Sequence, residues 1–267
     1  MGAGGATPLR ALIGDFVAVA AGEKHTCAIA AAGTDRVHCW GENSDGQLGL
    51  GDTMSPRWPT PVSGSGVPTT LSAGRRHSCA SYSGSVRCWG WNAYGQVGAG
   101  TALTPIMTPT VVLGLSGSVA TIGSGFWHEC AAQAGGSLRC WGLNAYGQLG
   151  WAGGDSRTAM PVPGISAAVS VAGGWDHTCA VLASGVVYCW GESGLGQLGN
   201  GVSVGSNVPP TLVVGLTNAT DVSCGNAVSC AVDSGIVYCW GDNSQGRTGA
   251  GTTLGSTTLP SRVLVGE

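Results

Sequence analysis

Cysteine and histidine are the residues of this chain with the most chemistry to offer, and they recur in a fixed pattern. Of the eleven cysteines, ten fall into the pairs Cys27/Cys39, Cys79/Cys88, Cys130/Cys140, Cys179/Cys189 and Cys230/Cys239. A histidine stands two residues before the first cysteine in four of them: His25, His77, His128 and His177. The fifth has Val228 there. Two chemistries suit such a set. One His and two Cys on a shared face are zinc ligand types. The alternative is a structural disulfide with a histidine packed beside it. The fifth pair keeps both cysteines without the histidine, which fits a disulfide better than a metal, so no metal is assigned. A loop of about ten residues closed this way contributes at most ~2–3 kcal/mol. Cys224 is the eleventh cysteine and is read as a free thiol at a position held elsewhere by Ala21, Ala73, Ser124 and Gly173. As general bases the histidines lack a Ser or Cys nucleophile that distinguishes one copy from the next. No catalytic set and no cofactor are expected.

The elements that must position these residues are β-hairpins. Between Cys79 and Cys88 the midpoint falls at Ser83-Gly84, and between Cys230 and Cys239 at Ser234-Gly235. Ser-Gly between two apolar arms is a turn signal. It sets the paired cysteines opposite one another, with Cα atoms roughly 4.5 Å apart, the short end of the disulfide range. The longer loop through Gly33-Thr34-Asp35 leaves the first pairing less defined. Strand alternation puts each His on the face of its Cys. A glycine stands five residues before each first cysteine (Gly22, Gly74, Gly125, Gly174, Gly225), as expected for close backbone approach or positive φ. The two residues that follow vary freely: Glu23-Lys24, Arg75-Arg76, Phe126-Trp127, Trp175-Asp176 and Asn226-Ala227. Variable residues at a fixed place in a regular array suggest an exposed rim.

The second cysteines, at 39, 88, 140, 189 and 239, give a period of about fifty residues, the mark of a repeat array that grows as one body. A single domain over 1–267 is expected. Each unit reads as a Pro-led apolar strand such as Pro109–Gly114, a small-residue strand, the cysteine hairpin, and a loop such as Asn144–Gly150. The units are approximately 8–55, 56–107, 108–158, 159–207 and 208–258, with 259–267 the first strand of a further unit.

Composition excludes several classes. Charged residues are 9% of the chain and apolar ones 43%, which is wrong for disorder. The 48 glycines have no three-residue period, so collagen is out. A net charge of -3 gives no basic footprint for nucleic acid. No apolar run reaches membrane-spanning length. The N-terminus does not read as a signal peptide, yet regular cysteine pairs favour an oxidising compartment. Extracellular or cell-surface placement is expected, with the chain a monomer or part of a longer protein.

His25-Thr26-Cys27-Ala28 followed by Cys39-Trp40-Gly41-Glu42-Asn43-Ser44-Asp45-Gly46-Gln47-Leu48-Gly49 resembles the regulator of chromosome condensation repeat family. The likeness recurs five times over nearly the whole chain, and the Cys-Trp-Gly units look most like its bacterial, secreted branch. Kelch repeats share the period but their double glycine is only patchy here. The resemblance implies an all-β fold, a β-propeller of about five four-stranded blades, or an arc or fragment of a seven-bladed array. The fifth unit drifts, with Arg247-Thr248 in place of Gln-Leu. Gly174-Trp175-Asp176-His177-Thr178 is similar to a motif of a light-sensing plant member, but it occurs once and lacks that motif's Arg, which argues against light sensing.

The tryptophans divide into two sets. Trp40, Trp89, Trp141, Trp190 and Trp240 follow every second cysteine and are read as structural. Trp58, Trp91, Trp127, Trp151 and Trp175 are irregular and, with Tyr94, Tyr146 and Phe126, are candidates for a recognition surface, where aromatic residues are enriched. Asn43-Ser44-Asp45-Gly46 lacks the ligand spacing of a calcium loop and reads as an Asx turn. The expected function is a non-enzymatic scaffold that holds a protein or glycan at one rim through Glu23, Lys24, Arg75, Arg76, Phe126, Trp127, Trp175 and Asp176, with Trp91, Tyr94, Tyr146 and Trp151 second. The alternative, implied at fold level alone, is guanine-nucleotide exchange on a small GTPase.

Overall fold

The computed structural model describes residues 15–56, 58–253 and 255–264. Every regular element among them is a strand, and the strands form five four-stranded antiparallel sheets, the blades of a β-propeller. The first blade holds β1 (Phe16–Ala21), β2 (His25–Ala30), β3 (Val37–Gly41) and β4 (Thr60–Pro61). The second holds β5 (Thr70–Ala73), β6 (His77–Tyr82), β7 (Ser85–Gly90) and β8 (Ile106–Val111). The third holds β9 (Val119–Ser124), β10 (His128–Gln133), β11 (Leu138–Gly142) and β12 (Ser156–Pro161). The fourth holds β13 (Ala168–Gly173), β14 (His177–Leu182), β15 (Val187–Gly191) and β16 (Val208–Leu212). The fifth holds β17 (Ala219–Cys224), β18 (Val228–Asp233), β19 (Ile236–Asp242) and β20 (Ser256–Arg262).

Turn chemistry sets the central hairpins. Ser83-Gly84 connects Tyr82 to its partner Ser85, and Ser234-Gly235 connects Asp233 to Ile236. Ser234 and Gly235 have φ of 51° and 79°, the two positive values that a type I′ turn requires. In all five hairpins the two cysteines face each other in register and are joined. The bonds are Cys27–Cys39, Cys79–Cys88, Cys130–Cys140, Cys179–Cys189 and Cys230–Cys239, with Cα atoms 4.0–4.1 Å apart. The first pair is joined like the others despite its longer loop. Cys224 is free. Alkylation of the denatured, unreduced protein should therefore add one label, and prior reduction should raise the number to eleven. More than one label without reduction would show that the pairs are open in solution.

The Trp-Gly step after the second cysteine is a bulge. Pairing with the outermost strand shifts register between Cys88 and Gly90, Cys140 and Gly142, Cys189 and Gly191, and Cys239 and Gly241. These four glycines have φ of 104–108°, a conformation closed to residues with a Cβ.

The blades take the chain in a different phase from the sequence units. The Pro-led strand closes a blade rather than opening the next: Pro109, Pro161, Pro209-Pro210 and Pro260 all lie on the outermost strand. Periodicity sets the repeat length and leaves the starting point free. Sheet chemistry chooses it, because proline has no N–H for a central ladder and fits an edge. Residues 259–262 thus belong to β20, the fourth strand of the fifth blade. The similar stretch at 8–14 lies outside the described residues.

Among the described residues the core is divided into four layers, one between each pair of neighbouring blades. Each layer joins the disulfide of one blade to the tryptophan of the next. Cys130, Leu138 and Cys140 pack on Val171, Ala180 and Trp190, and the other three layers repeat this scheme. We call the two sides of a blade its cystine face and its tryptophan face.

A polar relay lies inside each layer. The indole N–H of Trp89, Trp141, Trp190 and Trp240 donates to the backbone carbonyl of Gln47, Gln96, Gln148 and Gln197 in the preceding blade, at 2.8–2.9 Å. Ser78, Thr178 and Ser229 hydroxyls donate to the same carbonyls of Gln47, Gln148 and Gln197. His25, His128 and His177 each place Nε2 at 2.8 Å from one of these hydroxyls. The hydroxyl proton goes to the glutamine carbonyl, so the histidine must donate, which assigns the Nε2–H tautomer. The layer between the second and third blades differs. Glu129 replaces the hydroxyl residue and lies 3.4 Å from His77 Nε2, both fully buried.

The glycine before each histidine supplies close approach, without positive φ. A Cβ on Gly74 would sit 2.1 Å from His77 Cε1 and 2.6 Å from the Gly125 carbonyl oxygen. The loop asparagines serve the backbone: Asn43, Asn92 and Asn144 accept from Leu48, Val97 and Leu149 and donate to carbonyls further along the loop.

Candidate functional site

The innermost strand of each blade ends at Ala21, Ala73, Ser124, Gly173 or Cys224. The chain then passes through the glycine to the variable position. Glu23, Arg75, Phe126, Trp175 and Asn226 are thereby brought from five blades to one recess of about 340 Å³, floored by the glycines. That size is at the lower end of small-ligand pockets. Backbone bonds stitch its rim from blade to blade. Arg75 N–H donates to Phe126 O at 3.2 Å, Phe126 N–H to Gly174 O at 3.0 Å, and Trp175 N–H to Asn226 O at 3.1 Å. The side chains on the rim are therefore carried by ordered backbone, not by free loops.

An aromatic strip runs across three blades. Phe126 meets Trp175 edge-to-face with ring centroids 4.6 Å apart. Phe126 also meets Trp127 at 5.3 Å, and Trp127 meets Tyr94 at 5.7 Å. Such contacts hold the rings at fixed angles. The Arg75 guanidinium lies 4.5 Å from the Phe126 centroid and 4.8 Å from that of Trp127. Its Nε donates to Glu23 at 2.8 Å, and that bond holds the Glu23 carboxyl below its ordinary range. The recess therefore presents a flat cation on an aromatic bed, balanced by one carboxylate, with Trp175 and Tyr94 exposed.

The second residue of each variable pair turns to the loops. Lys24 pairs with Glu42 at 3.6 Å and Arg76 with Asp45 at 3.1 Å. Asp176 receives a long contact from Gln148 at 3.4 Å. Burial, with the nearby Glu192 second, pushes its carboxyl up to about 6. Ala227 is buried.

Of the residues expected from sequence, Glu23, Arg75, Phe126, Trp127, Trp175 and Tyr94 come together. Lys24, Arg76 and Asp176 flank them. The remaining aromatics lie elsewhere. Trp151 packs on the layer between the third and fourth blades, and Tyr146 is exposed on a loop whose backbone holds Asn207. Trp91 is half-buried, and its indole N–H has no partner among the described residues. Two lining residues were not foreseen as contacts. Asn226 shares the register of Glu23 and Arg75, which was the available signal. Cys224 lies on the recess wall with its thiol pushed up to about 12 by burial, so it is a poor nucleophile.

Behind that wall His177, Cys179 and Cys224 bring ligand types for a metal within 4.8 Å of one another. The Cys179 sulfur is bonded to Cys189 and offers no thiolate. The His177 Nε2–H is committed to Ser229. The set that would suit zinc by residue type is thus used by the disulfide and the relay.

Comparison with known proteins places this geometry among relatives. A family model described as the RCC1-like domain matches residues 5–265. Over 147 residues the chain is 32% identical to the ultraviolet-B receptor UVR8 of Arabidopsis thaliana, a match that covers 54% of this chain and 33% of that receptor. The chain therefore spans about a third of that relative's length. Human WBSCR16 superposes with a TM-score of 0.80 at 23% identity, covering 94% of this chain and 67% of that one. Prp20p of Saccharomyces cerevisiae superposes at 0.60 and 19% identity, covering 94% and 77%. At these identities the two structures show the fold.

Proposed function

The chain belongs to the RCC1-like domain family, and from that premise we propose that it is a non-enzymatic scaffold whose inner rim binds a protein. The observation that carries this reading is the Glu23–Arg75–Phe126–Trp127–Trp175 cluster. Tryptophan and arginine in ordered surroundings dominate the energetics of protein contacts, and here stitched backbone holds them in place before any partner arrives. Less ordering entropy is then lost on binding. Five disulfides support an oxidising setting, outside the cell or on its surface, in keeping with the bacterial Cys-Trp-Gly type of unit. Relatives point the same way. One is named a receptor, and the structure of Prp20p is described together with its binding to Gsp1p and histones. Nucleotide exchange on a small GTPase has only the shared fold behind it, and no residue of this rim speaks for it.

The test is a screen of the wild-type protein against arrayed peptides and arrayed glycans, repeated with Phe126→Ala/Trp175→Ala. Peptide ligands are expected, with affinity reduced tenfold or more in the double variant, about 1.4 kcal/mol or above. Thermal unfolding should be nearly unchanged, because both rings lie on the rim and outside the four core layers. Ligands that ignore the double substitution would place recognition elsewhere, and glycans alone would replace the protein partner.

A further inference from the structure

Cys224 differs from its counterparts in what its side chain meets. In the layer between the first and second blades, the Ser78 hydroxyl lies 3.6 Å from Cys27 Sγ, and Ala73 stands opposite Ser78 on the innermost strand. In the layer between the fourth and fifth blades, the Ser229 hydroxyl lies 3.6 Å from Cys179 Sγ, and Cys224 stands opposite Ser229. The Cys224 Sγ is 3.8 Å from that same hydroxyl and within 4.8 Å of the Cys179 Sγ. A thiol of the fifth blade is thereby set against the cystine of the fourth.

This layer is closed. Cys179 and Cys189 are fully buried, and Cys224 packs on them from the fifth blade. Burial disfavours the thiolate, but hydrogen bonds from the Ser229 side chain and the Cys179 backbone favour it. Burial slows an attack on the cystine, while a fixed neighbour removes the entropy of encounter.

We infer that Cys224 and the Cys179–Cys189 cystine form a thiol–disulfide exchange site in which Cys179 changes partner. The Cys224 thiol gives up its proton and its sulfur bonds to Cys179 Sγ. The Cys179–Cys189 bond breaks, and Cys189 Sγ leaves with the electron pair and takes up a proton. One disulfide and one thiol stand on each side of the step, so no oxidant or reductant is consumed. In the first form the bond clasps a hairpin inside the fourth blade. In the second it ties β14 of the fourth blade to β17 of the fifth, at the wall of the recess. The single label expected on alkylation is kept in both forms, and only its position moves.

Disulfide mapping of the full chain tests this. The protein is held folded at about pH 9, which raises the thiolate fraction, without added thiol or oxidant, then quenched in acid and digested with pepsin. A peptide joining Cys179 to Cys224 should appear, with Cys189 as the free thiol in equal amount and the other four pairs unchanged. Cys224→Ser should abolish it. Cys189→Ser leaves Cys179 and Cys224 as the only thiols, and a mild oxidant should join them and reduce the alkylation count from two to zero. A wild-type map that keeps only Cys179–Cys189 would overturn the inference, as would a folded Cys189→Ser that retains two thiols under oxidant. Cys224 found joined to cysteines of the other blades would mean exchange through the unfolded chain and would overturn it equally.

Discussion

Replacing Glu129 with Ala is expected to lower stability by about 2–4 kcal/mol, the cost of stripping the acceptor from two hydroxyl donors in a closed layer. The carboxylate is fully buried between the second and third blades. It accepts from the Ser72 hydroxyl at 2.9 Å and from the Ser124 hydroxyl, and lies 3.4 Å from His77 Nε2. Ala removes the acceptor for both hydroxyls, and each donor left alone in the closed layer costs about 1–3 kcal/mol. Glu129→Thr should recover most of the loss. The next layer already uses Thr at this register: Thr178 bridges His128 Nε2 and the Gln148 carbonyl at 2.8 Å each. A hydroxyl at 129 has the same two neighbours in His77 and the Gln96 carbonyl. Denaturant unfolding followed by tryptophan fluorescence reads both variants. If Ala is as stable as wild type, the carboxylate is not paired in solution. If Thr is no better than Ala, this layer is built around the carboxylate and not around the relay.

Acidification is expected to have the second large effect. Burial holds His25 and His177 at about 4 and His128 at about 3, with His77 a further influence on His25 and both His77 and His177 on His128. The relay explains why. Nε2–H is already spent on a hydroxyl, and Nδ1 of each ring is buried without a partner, so a second proton would have no acceptor. In the unfolded chain these histidines titrate near 6.5. Between about 6.5 and about 4 the unfolded chain therefore binds more protons than the native one, and stability falls as pH falls. Three such groups give at most about 4 kcal/mol per pH unit near pH 5. Asp176 works against them, since its raised value lets the native state hold the extra proton between about 3.8 and about 6. It subtracts at most one proton, and less after screening, because the carboxyl is partly exposed. Midpoints of thermal unfolding should be flat above pH 7 and drop steeply below pH 6. The Cys-bonded hairpins should persist, so the loss is one of blade-to-blade packing. A flat profile down to pH 4 would mean that the histidines are reached by water.

The rim was legible in part. Position after the recurrent glycine picked out Glu23, Arg75, Phe126 and Trp175, because a register repeated five times maps onto one place in space. The irregular aromatics carried no such register. Tyr94 joins the strip through Trp127, while Trp151 packs into a core layer, and nothing in their spacing distinguishes the two. Glu129 stands where the other units have Ser or Thr, and nothing local marks it as a partner of Ser72, fifty-seven residues away.

What the sequence determined by itself is local or periodic. Ser-Gly turns place cysteines in register, strand alternation puts His beside Cys, and the fifty-residue step makes one blade per unit. The hairpin features follow from backbone geometry within a dozen residues, and so the cysteine pairs and the structural tryptophans could be read from the residues, whereas the blade architecture was what the family resemblance implied. Tertiary structure alone decided the phase of the blades, the role of the histidines and the composition of the rim. The histidines and the rim rest on contacts between residues about fifty positions apart, such as His25 with Ser78 or Phe126 with Trp175, and the phase on pairing of the Pro-led strand with the hairpin before it, such as Cys140 with Met160. A repeat pattern is identical on both faces of every interface, so it cannot say which face meets which until the blades are stacked.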